Sequence, residues 1–597
     1  MEHRLLIVRG RFNNMNVQLG KFTVQMAEGQ TCAIQEISEK GGVTLTVFRF
    51  CWTKENAERD DGFTVGWLED VPGVMYEWDT RCRLGRDLNP HWDDRFRSML
   101  SSHSPVTCYF DGTDTNRCLW ALSECGKLIE LKNGLRDQTG SLNLHFSFGT
   151  GQFTGQYETR ITLYIDTRPI PMRKTVEDVA TWWAEDCGMT PMNVPDDARE
   201  PLYSFWYSFH QNVNAADVEA ECRRAKELGF SLCIVDDGWQ TEDNSGGYPY
   251  CGDWIPAPGK FPDMAAHVRR VHEIGMKYIL WYSVPLIGYR SAHYHRFKDM
   301  LLRDEPELSA AILDPRYRET REFLIQTFRK ALTEWDLDGF KLDFIDSWRE
   351  SPSNAPYNER MDIRALQDAV DVCMSGIVRT LTEIRPDVLL EFRQSYIGPH
   401  MKRFGNLFRV ADCAGDYLKN RASILDLRML MGDQAVHSDM LMMAPFEDPR
   451  VNALQIISCM FGVMQFSGRL EKLDERTLKM SRFWLSFLKE HKSLLQSKNL
   501  TAYEANLLYT WAKTTENDAC AVGVYAVDKV VRPDAAATVY VANGCMGERV
   551  FIELDGAYRV LVYNCFGEIC GSFEKTFSGV EQLAVPIGGL VEMRKSR

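Results

Sequence analysis

Four short stretches put ionisable side chains where apolar ones are expected. "CIVDDGW" carries Asp236 and Asp237, "DGFKLDFIDSW" carries Lys341, Asp343 and Asp346, "LLEFRQ" carries Glu391 and Arg393, and "VADCAGD" carries Asp412 and Asp416. A buried ion loses much of its hydration, so each must be paired or face a cavity. Strand side chains alternate, so Phe340, Leu342 and Phe344 point one way while Lys341, Asp343 and Ile345 point the other. On a shared face Lys341 would hold Asp343 ionised, because a nearby opposite charge lowers a carboxyl pKa. Asp412, between Val410, Ala411 and Cys413, has a mainly apolar setting that would raise its pKa. One ionised carboxylate and one protonated carboxyl are what cleavage of a glycosidic bond requires. Asp343 is then the candidate nucleophile and Asp412 the candidate acid.

Plainer readings stand beside this one. Lys341 and Asp343 could form a structural ion pair at a strand end, Glu391 and Arg393 an ion pair inside a barrel, and Asp236 and Asp237 a turn cap before Gly238. Asp346 reads as structural, and His437 and Asp439 as satisfying core hydrogen bonds. Clustered carboxylates also suit Mg²⁺ or Ca²⁺. Lys341 already supplies a cation, and no EF-hand loop or Cys/His cluster occurs, so neither metal nor other cofactor is expected.

The elements that would position these groups follow a regular order. Between Tyr203 and about Leu495, strand-like runs beginning at Tyr203, Ser231, Lys277, Gly339, Val388, Leu407, Ala435 and Val463 alternate with amphipathic stretches. The helical stretches are Ala215–Leu228, Met264–Ile274, Thr320–Trp335, Ile363–Glu383, Ser423–Met431 and a closing helix from Glu475 to Leu495. Eight such units over roughly 290 residues fit a (β/α)₈ barrel, a TIM barrel, whose chemistry sits at the C-terminal strand ends. All four charged stretches fall at such ends. Trp206, Trp239 and Trp281, from the first three strands, would line the same rim, and indole faces with carboxylates suit a sugar.

Before the barrel, runs such as "GVTLTVFRF" and "TRITLYIDT" read as an all-β sandwich; after it, "ACAVGVYAV", "ATVYVAN" and "YRVLVYN" read as a smaller β-sandwich. The expected architecture is therefore multidomain α/β and β: an N-terminal β domain over 1–185, the barrel over 186–498 and a C-terminal β-sandwich over 499–597. A net charge of −14 on 597 residues argues against a nucleic-acid or anionic-membrane partner. The opening "MEHRLLIVRGRFNNMNVQLG" lacks the apolar run of a signal peptide, and no stretch reads as a membrane span. Seventeen cysteines, without a CxxC, read as reduced thiols of a cytoplasmic protein. A homo-oligomer is compatible with this composition.

Four motifs carry a family resemblance: "FWYSF" on the first strand, "AKELGFSLCIVDDGWQ" into the second, "GKFPDM…VHEIGMKYILWYS" into the third and "DGFKLD" on the fourth. Together they resemble glycoside hydrolase family 36, the α-galactosidase family of clan D. The resemblance implies an N-terminal β-supersandwich, a catalytic barrel and a C-terminal β-sandwich, and retaining hydrolysis of α-galactosides without a cofactor. It matches Asp343 to the nucleophile, Lys341 to the family's neighbouring lysine, and Asp236 and Asp237 to the pair that holds the galactose 4- and 6-hydroxyls. Trp206 and Trp281 match aromatic wall positions, Asp412 the acid/base and Asp416 its neighbour.

The sequence departs from the family after the fifth strand, where a Cys-x-x-Gly-Gly-Gly-Arg-type segment is replaced by "EFRQSYIGPHMKR". Arg393 stands where a small residue is usual, and its fork could bind a hydroxyl, an N-acetyl oxygen or a carboxylate. The arginine-bearing sugar-binding loop between the third and fourth strands also lacks an obvious counterpart. The alternatives to an α-galactosidase are an α-N-acetylgalactosaminidase, a galactosyl transferase like the raffinose synthases, and a sugar-binding protein on a decayed barrel.

Overall fold

The computed structural model describes residues 14–596 except Asp60 and Asp94; the first thirteen residues, read above as lacking an apolar leader run, lie outside the described residues. Eight parallel strands form the central sheet: β1 (Leu202–Ser204), β2 (Leu232–Val235), β3 (Lys277–Ser283), β4 (Gly339–Asp343), β5 (Leu389–Arg393), β6 (Leu407–Arg409), β7 (Ala435–His437) and β8 (Gln465–Phe466). Each pairs with the next, β8 pairs with β1, and parallel bridges from His437 to Val463 and from Leu441 to Phe466 close the ring. All eight expected strands are present.

Alternation decides what each strand puts inside. Leu202, Leu232, Ile279, Leu389, Leu407, Ala435 and Val463 form an apolar plug in the ring, while Tyr203, Cys233, Tyr278, Phe340, Phe392 and Phe408 pack outward with the helices. Between β4 and β5 the strands approach so closely that a Cβ on Gly339 would lie 2.1 Å from the Leu389 carbonyl oxygen. The inward series continues past the plug, where apolar residues give way to Lys341, Glu391, Arg409 and His437, all buried.

Helix boundaries follow local chemistry. Helix α1 (Met172–Glu185) precedes the barrel. Helix α2 (Ala215–Leu228) starts where the Asn214 side chain accepts the Asp217 amide and stops at Gly229, φ +113°; α3 (Met264–Ile274) is capped in the same way by Asp263 and Gly275. Then follow α4 (Arg318–Trp335), α5 (Leu366–Ile384), α6 (Tyr417–Leu430), α7 (Pro449–Ser458) and α8 (Glu475–Glu490). Among the elements not anticipated are α1, which lies within the stretch expected to be all β, α7, and a three-stranded antiparallel sheet of Leu286–Gly288, Leu301–Glu305 and Ala310–Leu313 after β3. Arg303 on that sheet is spent on Glu305 and the Ser347 carbonyl.

Two six-stranded antiparallel sheets precede the barrel, running from Asn14–Leu19 to Glu158–Asp166. Their facing residues, among them Phe48, Phe63, Trp67, Trp120 and Phe146, make one core. After the barrel, eight strands from Thr501–Tyr503 to Leu590–Lys595 enclose a core that includes Val522, Val541, Val560 and Met593. Helix α6 ties these units together. It is buried from Asn420 to Leu430, and Asp426 on it accepts two hydrogen bonds from Arg86 of the N-terminal unit, at 2.7 and 2.9 Å, and one from the Tyr509 hydroxyl of the C-terminal unit, at 2.6 Å. No described helix is long and apolar enough to cross a membrane.

Candidate active site

At the C-terminal end of β4, the Asp343 carboxylate is surrounded by donors. Its Oδ1 accepts from Arg393 Nε (2.8 Å), the Tyr396 hydroxyl (2.8 Å) and the Phe344 amide (2.8 Å). Its Oδ2 accepts only from the Trp281 indole, at 3.1 Å. Burial would push this carboxyl up, but the charges of Arg393 and Lys341 and the Trp281 and Tyr396 hydrogen bonds overcome it and hold Asp343 well below the ordinary carboxylate range. The strand ends here, because Phe344 takes a left-handed conformation, φ +63°. The expected alternation of Phe344 and Ile345 therefore fails: Phe344 packs edge-on against Tyr248 and Ile345 begins a short helical turn.

Lys341 does lie in the same interior, but its direct partner is Asp236, Nζ to Oδ2 2.6 Å, so the expectation that it pairs with Asp343 is corrected. The contact on Asp343 is made by Arg393, and Lys341 acts on it only through the field. Nor does Arg393 pair with Glu391. Glu391 accepts from Gln465 Nε2 at 2.5 Å, leaves Oε1 without a donor, and is pushed up by burial against the opposing charges of Lys341 and Arg409. Asp346 is likewise pushed up by burial and meets the Ser395 hydroxyl at 3.4 Å.

Asp236 and Asp237 end β2 in one tight turn. The Asp237 amide donates to Asp236 Oδ1 at 2.9 Å, and Asp237 accepts from Gln211 (2.7 Å) and Gln240 (2.6 Å). Burial pushes the Asp237 carboxyl up to about 6, the two glutamines oppose the shift, and Asp236 adds to it. The next residue has to be glycine: Gly238 has φ +115°, and a Cβ there would lie 2.5 Å from Gln211 Cα.

The end of β6 differs from the expectation. Asp412 exposes 63% of its side chain, and Arg409 Nη2 donates to its Oδ1 at 2.9 Å. The part-burial that remains would raise its pKa, yet Arg409, Lys341 and Arg393 hold it below the ordinary value. The apolar neighbours do not enclose it, because β6 stops at Arg409 and the chain turns, leaving Val410 and Cys413 buried and the carboxylate outside. Asp416 is not spent on Asp412 either; it is exposed and caps α6, accepting the Lys419 amide at 2.9 Å.

The tryptophans separate. Trp281 reaches Asp343, with Tyr248 stacked on it at 6.0 Å. Trp206 begins a one-turn helix just past β1, half-buried, its ring edge-on to His210. Trp239 is not at the rim: it is fully buried against Trp254 and Tyr282 and donates to the Trp281 carbonyl at 2.9 Å. The plain reading holds for His437, which is buried, bound to the Ala198 carbonyl and pushed down to about 4 by burial. It holds for Asp439 as well, which is fully buried and accepts from Arg409, the Tyr207 hydroxyl (3.0 Å) and the Cys413 amide (2.7 Å). Tyr396, Arg409, Tyr207, Gln211 and Gln240 were not singled out from sequence. Arg409 carried a signal, a charge at an inward strand position like that of Lys341; Tyr207 lies in the one-turn helix after β1 and the others come from loops. No group of three or more potential ligands among the described residues is arranged to hold a metal ion.

A closed barrel with charged and aromatic groups gathered at the C-terminal strand ends, between two β units, is an architecture of clan D glycoside hydrolases. Residues 189–399 match the Melibiase family model. The chain is 29% identical over 157 residues to α-galactosidase Mel36A of Lactobacillus acidophilus and 25% identical over 205 residues to α-galactosidase AgaA of Geobacillus stearothermophilus, stretches covering 25% and 33% of this chain. They span 21% and 27% of those proteins' own lengths. The fold of the family 36 α-galactosidase AgaA, crystallised with raffinose, superposes with a TM-score of 0.67 over 96% of this chain and 83% of that one, at 14% identity. By sequence over the barrel's first half and by fold over nearly its whole length, the chain resembles glycoside hydrolase family 36.

Proposed function

We propose that this protein is a retaining, exo-acting α-glycosidase that removes terminal α-linked galactose from small glycosides. The observation that carries this reading is the state of Asp343: ionised, with Oδ1 taken by three donors and Oδ2 bearing a single indole. Oδ2 is therefore the atom that attacks the anomeric carbon. The C–O electron pair leaves with the aglycone oxygen, which takes a proton from Asp412. Asp412 then removes a proton from water, which attacks the same carbon and releases Asp343 as the carboxylate. Asp412 is held ionised in the open pocket; a sugar seated over it excludes water and shifts its pKa upward toward the range a proton donor needs. Asp236 and Asp237, at the end of β2 on the same rim, would hold sugar hydroxyls.

AgaA crystallised with raffinose and with stachyose makes such oligosaccharides the first substrates to offer. A second reading rests on Arg393, whose side chain is still 23% exposed beside Asp343: a donor there suits the acyl oxygen of an α-N-acetylgalactosaminide. The free state of all seventeen cysteines suits the reducing cytoplasm. The test is release of nitrophenol from 4-nitrophenyl α-galactoside and its N-acetyl counterpart by the wild type and by Asp343→Asn. Turnover of the galactoside, reduced about 10⁴-fold or more in the variant, is expected. Binding of galactose without turnover by the wild type would overturn the reading in favour of a sugar-binding protein.

A further inference from the structure

At the far end of the barrel from Asp343, a cleft of about 1280 Å³ opens between α1, the chain leading to β1, the end of α6 and the first residues of the C-terminal unit. Arg173, Lys174, Arg199, Lys402, Arg428 and Lys498 line it. Three of these cations have carboxylates: Arg173 has Glu177 at 2.7 Å, Lys174 has Asp178 at 2.6 Å and Lys498 has Asp433 at 2.6 Å. Even so, Arg173 keeps Nη1 buried without an acceptor.

The other three, Arg199, Lys402 and Arg428, make no ion pair among the described residues and bind only carbonyl oxygens. Arg199 donates to Asp433 O at 2.5 Å, Lys402 to Leu430 O at 3.3 Å, and Arg428 to Ser497 O at 2.6 Å, Leu495 O at 3.4 Å and Phe461 O. Of these carbonyls, Leu430 and Leu495 end helices, and a helix C-terminus is worth about half a negative charge, which falls short of three full cations. The remaining lining acids do not close the gap: Asp114 accepts the Glu504 and Ala505 amides, and Glu185 lies at the outer end of α1.

Most buried arginines elsewhere meet a carboxylate, Arg421, on the Leu508 carbonyl and over the Tyr525 ring, being an exception. Arg86 meets Asp426, Arg316 meets Asp314 and Arg409 meets Asp439. Burial and the charges of Arg173 and Arg199 push Arg428 down to about 9, and burial pushes Lys402 down to about 8, whereas Arg86 and Arg409 are raised by their carboxylates. Two unpaired buried cations, Lys402 and Arg428, with the half-buried Arg199 beside the same cavity, are costly unless an anion enters it.

We propose that this cleft binds a phosphorylated small molecule, its phosphate held by Arg173, Arg199, Arg428 and Lys402. Guanidinium forks and an ammonium match the several oxygens of a phosphate. The cleft is too large for the ion alone, and Met172, Met429, Met431 and Leu500 supply apolar wall for an organic body. The proposal is independent of the activity assigned above.

Calorimetry and thermal melting of the full chain would compare inorganic phosphate, pyrophosphate and a hexose 6-phosphate with sodium chloride at equal ionic strength. The ester is expected to bind more tightly than inorganic phosphate and to raise the melting temperature beyond the chloride control. Arg173→Met and Lys402→Met, neither near Asp343, should each weaken it at least tenfold. These two are preferred to Arg428→Met, which would strip three carbonyls of their donor, and their ligand-free melting curves check that they fold. Equal affinity for phosphate and ester would overturn the organic ligand. No binding beyond chloride, or unchanged affinity in both folded variants, would overturn the site.

Discussion

At the end of β4 the Asp343 side chain is 12% exposed and accepts four hydrogen bonds; at the end of β6 the Asp412 side chain is 63% exposed and touches one arginine. The same residue type, in the same barrel at the same rim, has been given opposite surroundings. A nucleophile must be charged before substrate arrives and gains from being fixed, and Asp343 is held by donors from β3, the turn after β4, the end of β5 and the chain after it. A proton donor must change its charge during each turnover, and a group locked by many donors could not. The single contact to Arg409 is one that a bound sugar can outweigh. In the proposed reaction, rigidity sits where charge stays constant and exposure where it must change.

This contrast can be broken by substitution. Asp412→Asn should lower kcat by about 10²–10⁴-fold on an alkyl α-galactoside but far less in the bond-breaking step with a nitrophenol leaving group, which needs little protonation. Steady-state kinetics with both substrates measures this, and an equal loss on each would remove the acid role. Arg393→Gln should cost less, on the order of tenfold in kcat/KM, as one of several charge-assisted contacts is lost. Its sharper signature is the pH profile. Loss of the cation favours protonated Asp343, so the acid limb should move to higher pH; an unmoved limb would mean that Lys341, Trp281 and Tyr396 suffice. The smallest effect is expected from Asp416→Ala, which removes the cap of α6: about 1 kcal/mol of stability in a denaturant titration, with kcat nearly unchanged.

What could be read in the sequence follows from what each feature depends on. All eight strands were legible, because short apolar runs with charges at their ends interrupt the helical pattern. Helices α2 and α3 were legible to the residue, because Asn214, Gly229, Asp263 and Gly275 mark their ends. Helices α6 and α7 were shortened or missed for the opposite reason: almost every residue of each is buried, so neither shows a polar face. Asp448 followed by Pro449 was nevertheless a usable start signal for α7. At the site, charges within strands stood out, whereas their partners depended on where strands end. The turns at Phe344 and after Arg409 decide that Asp343 is enclosed and Asp412 open, and local composition around Asp412 suggested the reverse. Tyr396, Gln211 and Gln240 arrive from loops and carry no periodic signal.

The carboxylate of Asp426 has a consequence for how this chain can be cut or recombined. Its partners, Arg86 and Tyr509, stand 340 and 83 residues away along the chain, one on each side of the barrel. A barrel expressed without its flanks would keep a buried anion and lose both, at a cost of about 3–5 kcal/mol for breaking such a pair, against a stability of about 5–15 kcal/mol for a typical domain. The loss would fall on α6, which begins five residues beyond Asp412. The three units thus form one heritable block: a flanking unit from another protein could replace the native one only if it brought an arginine or a tyrosine to the same point.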